Sequence, residues 1–444
     1  MELTNKKVAV IGLGKTGQAL IKFLLNKKTN VTGCDQDKSS FKKLSKLPID
    51  LSLGKNYLRN LADFEIIFVS PGVPLELPEI KSVKNKVKVS SEIELFFESC
   101  PAPIIGITGT NGKTTVTTLI SKILKQSSKK VFTGGNIGES LINKLSQIKR
   151  SNLVVLELSS FQLETLEKSP NIAVVLNITP DHLDRYKDFN NYKKTKVKIV
   201  NHQDKKDFAI LNFDDRNTNS LRNKTKASVF GFSTVKILNR GAYLKSNQII
   251  IKDKGITKKI CKLGDIHLPG KHNIENVLAA VLVGYLCKIS PVKIKKAIRG
   301  FKGIEHRLEY IRSINKRKFY NDSKATTPES TTAALNAFDN PIILIAGGYD
   351  KHADFSKMAK VIAKKVKHLI LIGKTAKQIA KVVQQQKTKV QISLAKNLNE
   401  AVVRSYKTSQ PNDIILLSPA CASYDMFKNY EERGKSFKKL VNKL

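Results

Sequence analysis

Tryptophan is absent, methionine occurs three times, and acidic side chains are scarce: 37 Asp and Glu stand against 78 Lys and Arg, a formal charge of +41 over 444 residues. The five cysteines (Cys34, Cys100, Cys261, Cys287, Cys421) are odd in number, scattered, and nowhere spaced as CxxC. That argues against a disulfide framework or a zinc site and for reduced thiols. No apolar run is long enough to span a bilayer. The longest, Val277 to Cys287, reads as a buried helix. The opening stretch MELTNKKVAVIGLG enters a strand pattern directly, with no signal-peptide core or cleavage site. A cytoplasmic protein without membrane insertion is the expectation. The excess charge comes without a basic tail or an aromatic-rich RNA motif, and the lysines are spread along the whole chain. Nucleic acid is therefore not expected as the main partner, whereas a general positive field would draw in small anionic substrates.

Hydrophobic residues make up 41% of the chain, ordinary for a globular protein, and the length suggests two to four domains. Neither repeats nor a Pro/Gly/Ser-rich linker divide it. Organisation comes from apolar runs (KVAVIG, FEIIFVS, LVVLEL, IAVVLN, IILIAGG, HLILIG, DIILLSPA) that alternate with helix-length stretches. This is the signature of parallel α/β sheets. Three blocks are expected, 1–91, 92–299 and 300–444. The first carries Gly12-x-Gly14-x-x-Gly17 after a strand, with Asp35 ending the next strand. Such glycines let backbone approach a phosphate at a helix start, and the spacing fits a dinucleotide site without saying whose phosphate is held.

The second block contains Gly109-Thr110-Asn111-Gly112-Lys113-Thr114-Thr115 after the strand-like Ile104–Thr108. Lys113 can reach β- and γ-phosphate oxygens, and Thr114 can ligate Mg²⁺. Where the standard loop has its first glycine stands Ile107, so this is a variant. An ordinary P-loop ATPase would next show a strand ending in Asp; here LVVLELSS supplies Glu157, a carboxylate able to take a metal or a metal-bound water. His182, beside Asp181 and following another strand, reads either as a surface residue or as a metal ligand or phosphate contact. From Asp188 onward the spacing predicts a helix with Phe189, Tyr192, Ile199 and Val200 on one face and Lys196 at its centre. That lysine either snorkels to solvent or faces a cleft, with modification as an option.

GTNGKTT, GGNIG (134–138), LELSSFQLE (156–164), DHLDRY (181–186), PGKHNIENVLAA (269–280), HRLEY (306–310), NDSKAT (321–326), GGYDKHADF (347–355) and SPACASYDMF (418–427) follow one another in a single order. In this the chain resembles the Mur ligases of peptidoglycan synthesis over essentially its whole length, and within them the members that add D-glutamate. The resemblance implies three α/β domains: a Rossmann-like amino-terminal one for the UDP substrate, a central P-loop domain on a parallel sheet, and a Rossmann-like carboxyl-terminal one for the amino acid. It implies a monomer acting on small molecules, with ATP and two Mg²⁺. By the same resemblance, Gly109 to Thr115 with Asn273, Asn276, Arg307 and Asp322 hold ATP. Thr114, Glu157, His182 and a carbamylated Lys196 hold the metals; Lys113, Glu157, His182 and Lys196 are the catalytic set. Lys15, Thr16, Asp35, Gln36, Gly72, Asn136, Ser159 and His182 meet the UDP substrate, so the glycine fingerprint is expected to hold UDP and not NAD. Lys324, Thr326, Lys351, Ser423, Tyr424 and Tyr430 meet D-glutamate. Two positions depart from the family: Tyr430 stands where Phe is common and Tyr424 where Leu is usual. Folylpolyglutamate synthase or another Mur ligase is the same-class alternative. A nicotinamide dehydrogenase would have no use for GTNGKTT.

Overall fold

A computed structural model describes residues 2–182, 185–349 and 353–444. All seven apolar runs form strands. The first sheet is five-stranded and parallel: β1 (Lys7–Ile11), β2 (Asn30–Asp35), β3 (Asp50–Leu53), β4 (Ile66–Val69) and β5 (Lys88–Ser90), in the order β3-β2-β1-β4-β5. The order reverses between β1 and β4, which opens a crevice at their carboxyl ends. The helix Lys15–Asn26 starts there. Its Gly17 lies so close to the strand end that a Cβ would stand 2.1 Å from the Gly12 carbonyl oxygen. Gly17→Ala is expected to cost about 1–3 kcal/mol by forcing the helix away; an unchanged urea midpoint would refute that close approach.

The second sheet contains β6 (Ile104–Thr108), β7 (Val131–Gly135), β8 (Leu153–Glu157), β9 (Ile172–Val175), β10 (Phe208–Asn212), β11 (Ser228–Ser233), β12 (Gly241–Lys245), β13 (Gln248–Asp253) and β14 (Ile256–Lys262). Their order is β14-β13-β12-β11-β10-β9-β6-β8-β7. The expected parallel pairing holds from β7 to β12, and an antiparallel meander, β12-β13-β14, extends it. Two-residue turns make the meander. Ser246-Asn247 and Lys254-Gly255 all have positive φ, the twist that suits tight hairpins. Val277 to Leu286 is helical as expected, within Lys271–Leu286, with Cys287 in the turn that follows, and Val277 to Val283 are buried.

The third sheet holds β15 (Glu309–Ile314), β16 (Arg317–Asn321), β17 (Ile342–Ala346), β18 (Val366–Leu371), β19 (Gln391–Leu394) and β20 (Ile414–Leu417), in the order β15-β16-β20-β17-β18-β19. Only the β15–β16 hairpin is antiparallel.

The chain divides into two compact units, 1–263 with 275–298, and 264–274 with 299–444. The first two sheets share a unit because one apolar core runs from Leu3, Leu20 and Leu24 to Ile142, Leu156 and Val175. The second unit is cored on both faces of its sheet, by Leu344, Leu416 and Ile379 on one and by Ile345, Leu417 and Phe437 on the other. All five cysteines are free thiols. No helix among the described residues is long and apolar enough to cross a membrane.

Candidate functional site

In the first unit a cleft of about 970 Å³ opens at the carboxyl ends of β1 and β4. Lys15, Thr16, Asp35, Gln36, Gly72 and Asn136 line it, six of the eight residues expected at the UDP substrate. Asp35 shapes the glycine loop: one carboxylate oxygen accepts the Leu13 amide at 2.6 Å and the other the Asp37 amide at 2.8 Å. Ser159 is not among the lining residues. Its hydroxyl caps the short helix Ser160–Leu163 in a reciprocal pair with Gln162, and it is Gln162 that lines the cleft. Sequence reasoning also missed Tyr57, Glu92 and Ser140 on the lining. Glu92 is buried, hydrogen-bonded to the Ser140 hydroxyl, and burial raises its pKa. Arg185 was missed too, although it lies inside the quoted DHLDRY. Its guanidinium donates to the Pro71 and Val73 carbonyls (2.9 and 3.1 Å) and to Glu164 (3.2 Å), which fastens the Ser70–Val73 rim of the cleft. No sequence period announces a long-range donor of this kind.

The second centre lies on the same unit, at the carboxyl ends of β6, β8 and β9. The β6 strand delivers the loop Gly109–Gly112, and the helix Lys113–Leu124 follows at once. Asn177, just past β9, braces the loop: its carbonyl accepts the Thr110 amide and its side chain exchanges two hydrogen bonds with the Asn111 backbone. Gly112 has φ +87°, and a Cβ there would meet Asn276 Oδ1 at 2.5 Å, so the expected adenosine contact Asn276 borders the loop. Asn273, Arg307 and Asp322 belong to the second unit. Asp322 is buried there. Its carboxylate accepts the Ser418 hydroxyl (2.8 Å) and the Leu308 amide (3.1 Å), and burial pushes its pKa up to about 7.

Lys196 does not snorkel. The helix Phe189–Asn201, capped by Asp188 on the Asn191 amide, buries it at 1% exposure beneath the phosphate loop. Its ammonium donates to the Gly109 carbonyl at 3.0 Å and lies 4.8 Å from the Tyr192 ring centre. Lys113 Nζ donates to the same carbonyl at 2.9 Å and to that of Thr110 at 2.9 Å. Two cations converging on one neutral oxygen repel each other, and the Asp181 carboxylate offsets only part of that repulsion at Lys196. Burial first, and Lys113 second, pull the Lys196 pKa down to about 7.

Glu157 ends β8 at 2% exposure. Its Oε1 accepts the Asn136 amide at 2.9 Å, while Oε2 is buried without a hydrogen-bond partner. An orphaned carboxylate oxygen near a phosphate loop fits a bound divalent cation, since a buried anion is otherwise costly. His182 is half-exposed in the left-handed region (φ +52°), its ring tilted against that of Phe161 at 4.9 Å between centres and 3.6 Å from Asp181. Among the described residues no group of three or more His, Cys, Asp and Glu side chains could hold a metal by itself. A metal here would draw on Glu157, a hydroxyl such as Thr114, and phosphate oxygens.

In the second unit, the loops after β16 and β20 bring several expected amino-acid contacts together. Ser423 is buried and Thr326 half-buried, while Lys324 Nζ lies 6.0 Å from the centre of the Tyr430 ring. Tyr424 is exposed, edge-on to Tyr349 at 6.1 Å. Lys351 lies outside the described residues.

A phosphate loop at a parallel strand end, a neighbouring strand-end carboxylate and a buried amine define a nucleotide-phosphate-binding α/β protein. Three family models cover most of it: "Mur ligase MurD-like, N-terminal domain" over 6–90, "Mur ligase middle domain" over 107–284, and "Mur ligase, glutamate ligase domain" over 306–421. The chain is 44% identical over 452 residues to the UDP-N-acetylmuramoylalanine--D-glutamate ligase of Thermoanaerobacter sp. (strain X514), with all of both chains covered. It is also 44% identical to the ligase of that name from Acetivibrio thermocellus, covering 100% of this chain and 97% of that one. The fold is similar to that of the UDP-N-acetylmuramate-alanine ligase of Thermotoga maritima, with a TM-score of 0.55, 18% identity, and 99% and 100% of the two chains covered. The chain belongs to the Mur ligase family.

Proposed function

We propose that the chain joins D-glutamate to the alanyl carboxylate of UDP-N-acetylmuramoyl-L-alanine, driven by conversion of ATP to ADP and phosphate, in cytoplasmic peptidoglycan precursor synthesis. The observation that carries this is the 44% identity to D-glutamate ligases along the entire chain. In the reaction an alanyl carboxylate oxygen attacks the γ-phosphorus and ADP leaves. The D-glutamate amine attacks the acyl carbon, the tetrahedral intermediate expels phosphate, and the amine gives up a proton.

Each step spreads negative charge over phosphoryl oxygens or an acyl oxygen, so the residues needed are preorganised cations and donors. Lys113 and the loop amides of Gly109 to Thr115 serve the ATP phosphates, with Asn273, Asn276, Arg307 and Asp322 on the adenosine. Bound Mg²⁺ would supply charge neutralisation between phosphates, and Thr114, Glu157, His182 and Lys196 as its carbamate would hold it. The lowered Lys196 pKa supports that modification, because only the neutral amine attacks CO₂. Residues 1–91 take the UDP substrate through Lys15, Thr16, Asp35, Gln36 and Gly72, with Asn136, Ser159 and His182 from 92–299. Residues 300–444 take D-glutamate through Lys324, Thr326, Lys351, Ser423, Tyr424 and Tyr430. The protein acts as a monomer, and small anions, not nucleic acid, answer its positive charge.

The test is phosphate release from ATP with UDP-N-acetylmuramoyl-L-alanine and one amino acid at a time. D-Glutamate is expected to support turnover. Turnover with L-glutamate, L-lysine or glycine and none with D-glutamate would overturn the assignment.

A further inference from the structure

Arg433 is fully buried, on the first turns of the helix Tyr430–Lys443. Burying a guanidinium is costly, and an apolar side chain of similar volume would hold the helix to the sheet at least as well. What an apolar side chain cannot do is bond to carbonyls. Arg433 Nη2 donates to the Ser323 carbonyl at 2.9 Å and the Cys421 carbonyl at 3.1 Å. Nη1 donates to the Ala422 carbonyl at 3.3 Å, and Nε to the Ser323 hydroxyl at 3.0 Å. Ser323 follows β16; Cys421 and Ala422 follow β20, its neighbour in the sheet. The Ala422 carbonyl also accepts the Tyr349 amide at 2.9 Å, from the segment after β17. Gly348 makes this approach possible: a Cβ there would lie 2.3 Å from the Ala422 oxygen and 3.3 Å from Arg433 Nη1. One planar fork thus ties together the carboxyl-end loops of two adjacent strands, β16 and β20, and the shared Ala422 carbonyl joins the segment after β17 to them. Burial lowers its pKa to about 10, so it keeps its charge at neutral pH.

The residues it grips include the immediate neighbours of Lys324 and Ser423, with Thr326 three positions beyond Ser323, and it bonds none of these three itself. We propose that Arg433 is a positioning residue for the amino-acid subsite: it sets the separation of the 323–326 and 421–423 loops, and through it the fit to an amino acid with a second carboxylate. This rests on reading those loops as the D-glutamate subsite. Lysine in its place keeps one charge but loses the fork that reaches both loops.

The experiment measures KM for D-glutamate, ATP and UDP-N-acetylmuramoyl-L-alanine separately, in wild type, Arg433→Lys, Arg433→Met and Ser423→Ala. In Arg433→Lys, KM for D-glutamate is expected to rise about tenfold or more, with the other two within about twofold, because small displacements of binding groups carry large penalties. Arg433→Met is expected to rise further and to discriminate less between D-glutamate and D-aspartate. If Arg433→Met does not fold, Arg433→Lys decides alone. A similar rise in all three KM values, or an unchanged KM for D-glutamate in folded Arg433→Lys, overturns the proposal. An unchanged KM for D-glutamate in Ser423→Ala overturns the subsite reading and the proposal with it. A raised KM there beside an unaffected Arg433→Lys overturns the proposal alone.

Discussion

Lys196→Ala is expected to lower turnover by about 10²–10³-fold, the usual loss when a preorganised charged group is removed from a site of this kind, while leaving the protein folded. The lysine is buried, 3.0 Å from the Gly109 carbonyl, and that carbonyl already receives Lys113. As an ammonium it adds a second cation beside the first. With its pKa near 7 it is substantially neutral at physiological pH, and a neutral amine adds to CO₂ with loss of one proton. The carbamate proposed above would turn a repulsive neighbour of Lys113 into an attractive one. Alanine leaves a cavity of the size of that side chain beneath the loop. Acetate or propionate, entering it, is expected to restore part of the lost activity. Lys196→Met tests the other half of the argument. It removes a buried amine and keeps most of the volume, so its thermal midpoint is expected to equal or exceed that of wild type while activity stays low. Wild-type turnover in Lys196→Ala, indifferent to acetate, would eliminate the carbamate role.

Glu157→Gln is expected to reduce turnover by about 10²–10³-fold as well, for a different reason. The glutamine keeps an acceptor for Asn136 Nδ2, so the 2.9 Å hydrogen bond that fixes the side chain survives. What disappears is the negative charge at Oε2, the buried oxygen without a partner. The readout separate from turnover is the thermal midpoint with ADP, with and without Mg²⁺. Wild type is expected to gain an increment from Mg²⁺, because a ligand that binds only the folded state stabilises it. In Glu157→Gln that increment should shrink while the midpoint without Mg²⁺ holds. An undiminished increment would remove Glu157 from the metal site.

The strands and the phosphate loop were legible in the sequence because both are local signals. Seven apolar runs became seven strands, and Asp188 capped the helix that the spacing required. The face of that helix was readable too: with Phe189, Tyr192, Ile199 and Val200 on one side, Lys196 fell at its centre, and the fold then excluded snorkelling by burying it. The meander β12-β13-β14 escaped notice, although Ser246-Asn247 and Lys254-Gly255 are turn pairs, because its parallel and antiparallel strands look alike in composition. The cap at Ser159 went unread for a related reason. Its value as a helix cap depends on Gln162 three residues on, and only the folded turn shows that the capping partner faces the cleft.

The sequence by itself determined the apolar strands, the phosphate loop and the place of Lys196 at the centre of an apolar helix face, since these depend on residues within a few positions of one another. Tertiary structure alone decided that Lys113 and Lys196 share one carbonyl oxygen and that Asp35 holds the Leu13 amide. It also decided that Arg433 reaches back 110 residues to Ser323. The physical reason is the order of strands in each sheet. Neighbours such as β16 and β20 are distant in the chain, and hydrophobic periodicity states that a strand is buried without stating beside which other strand it lies.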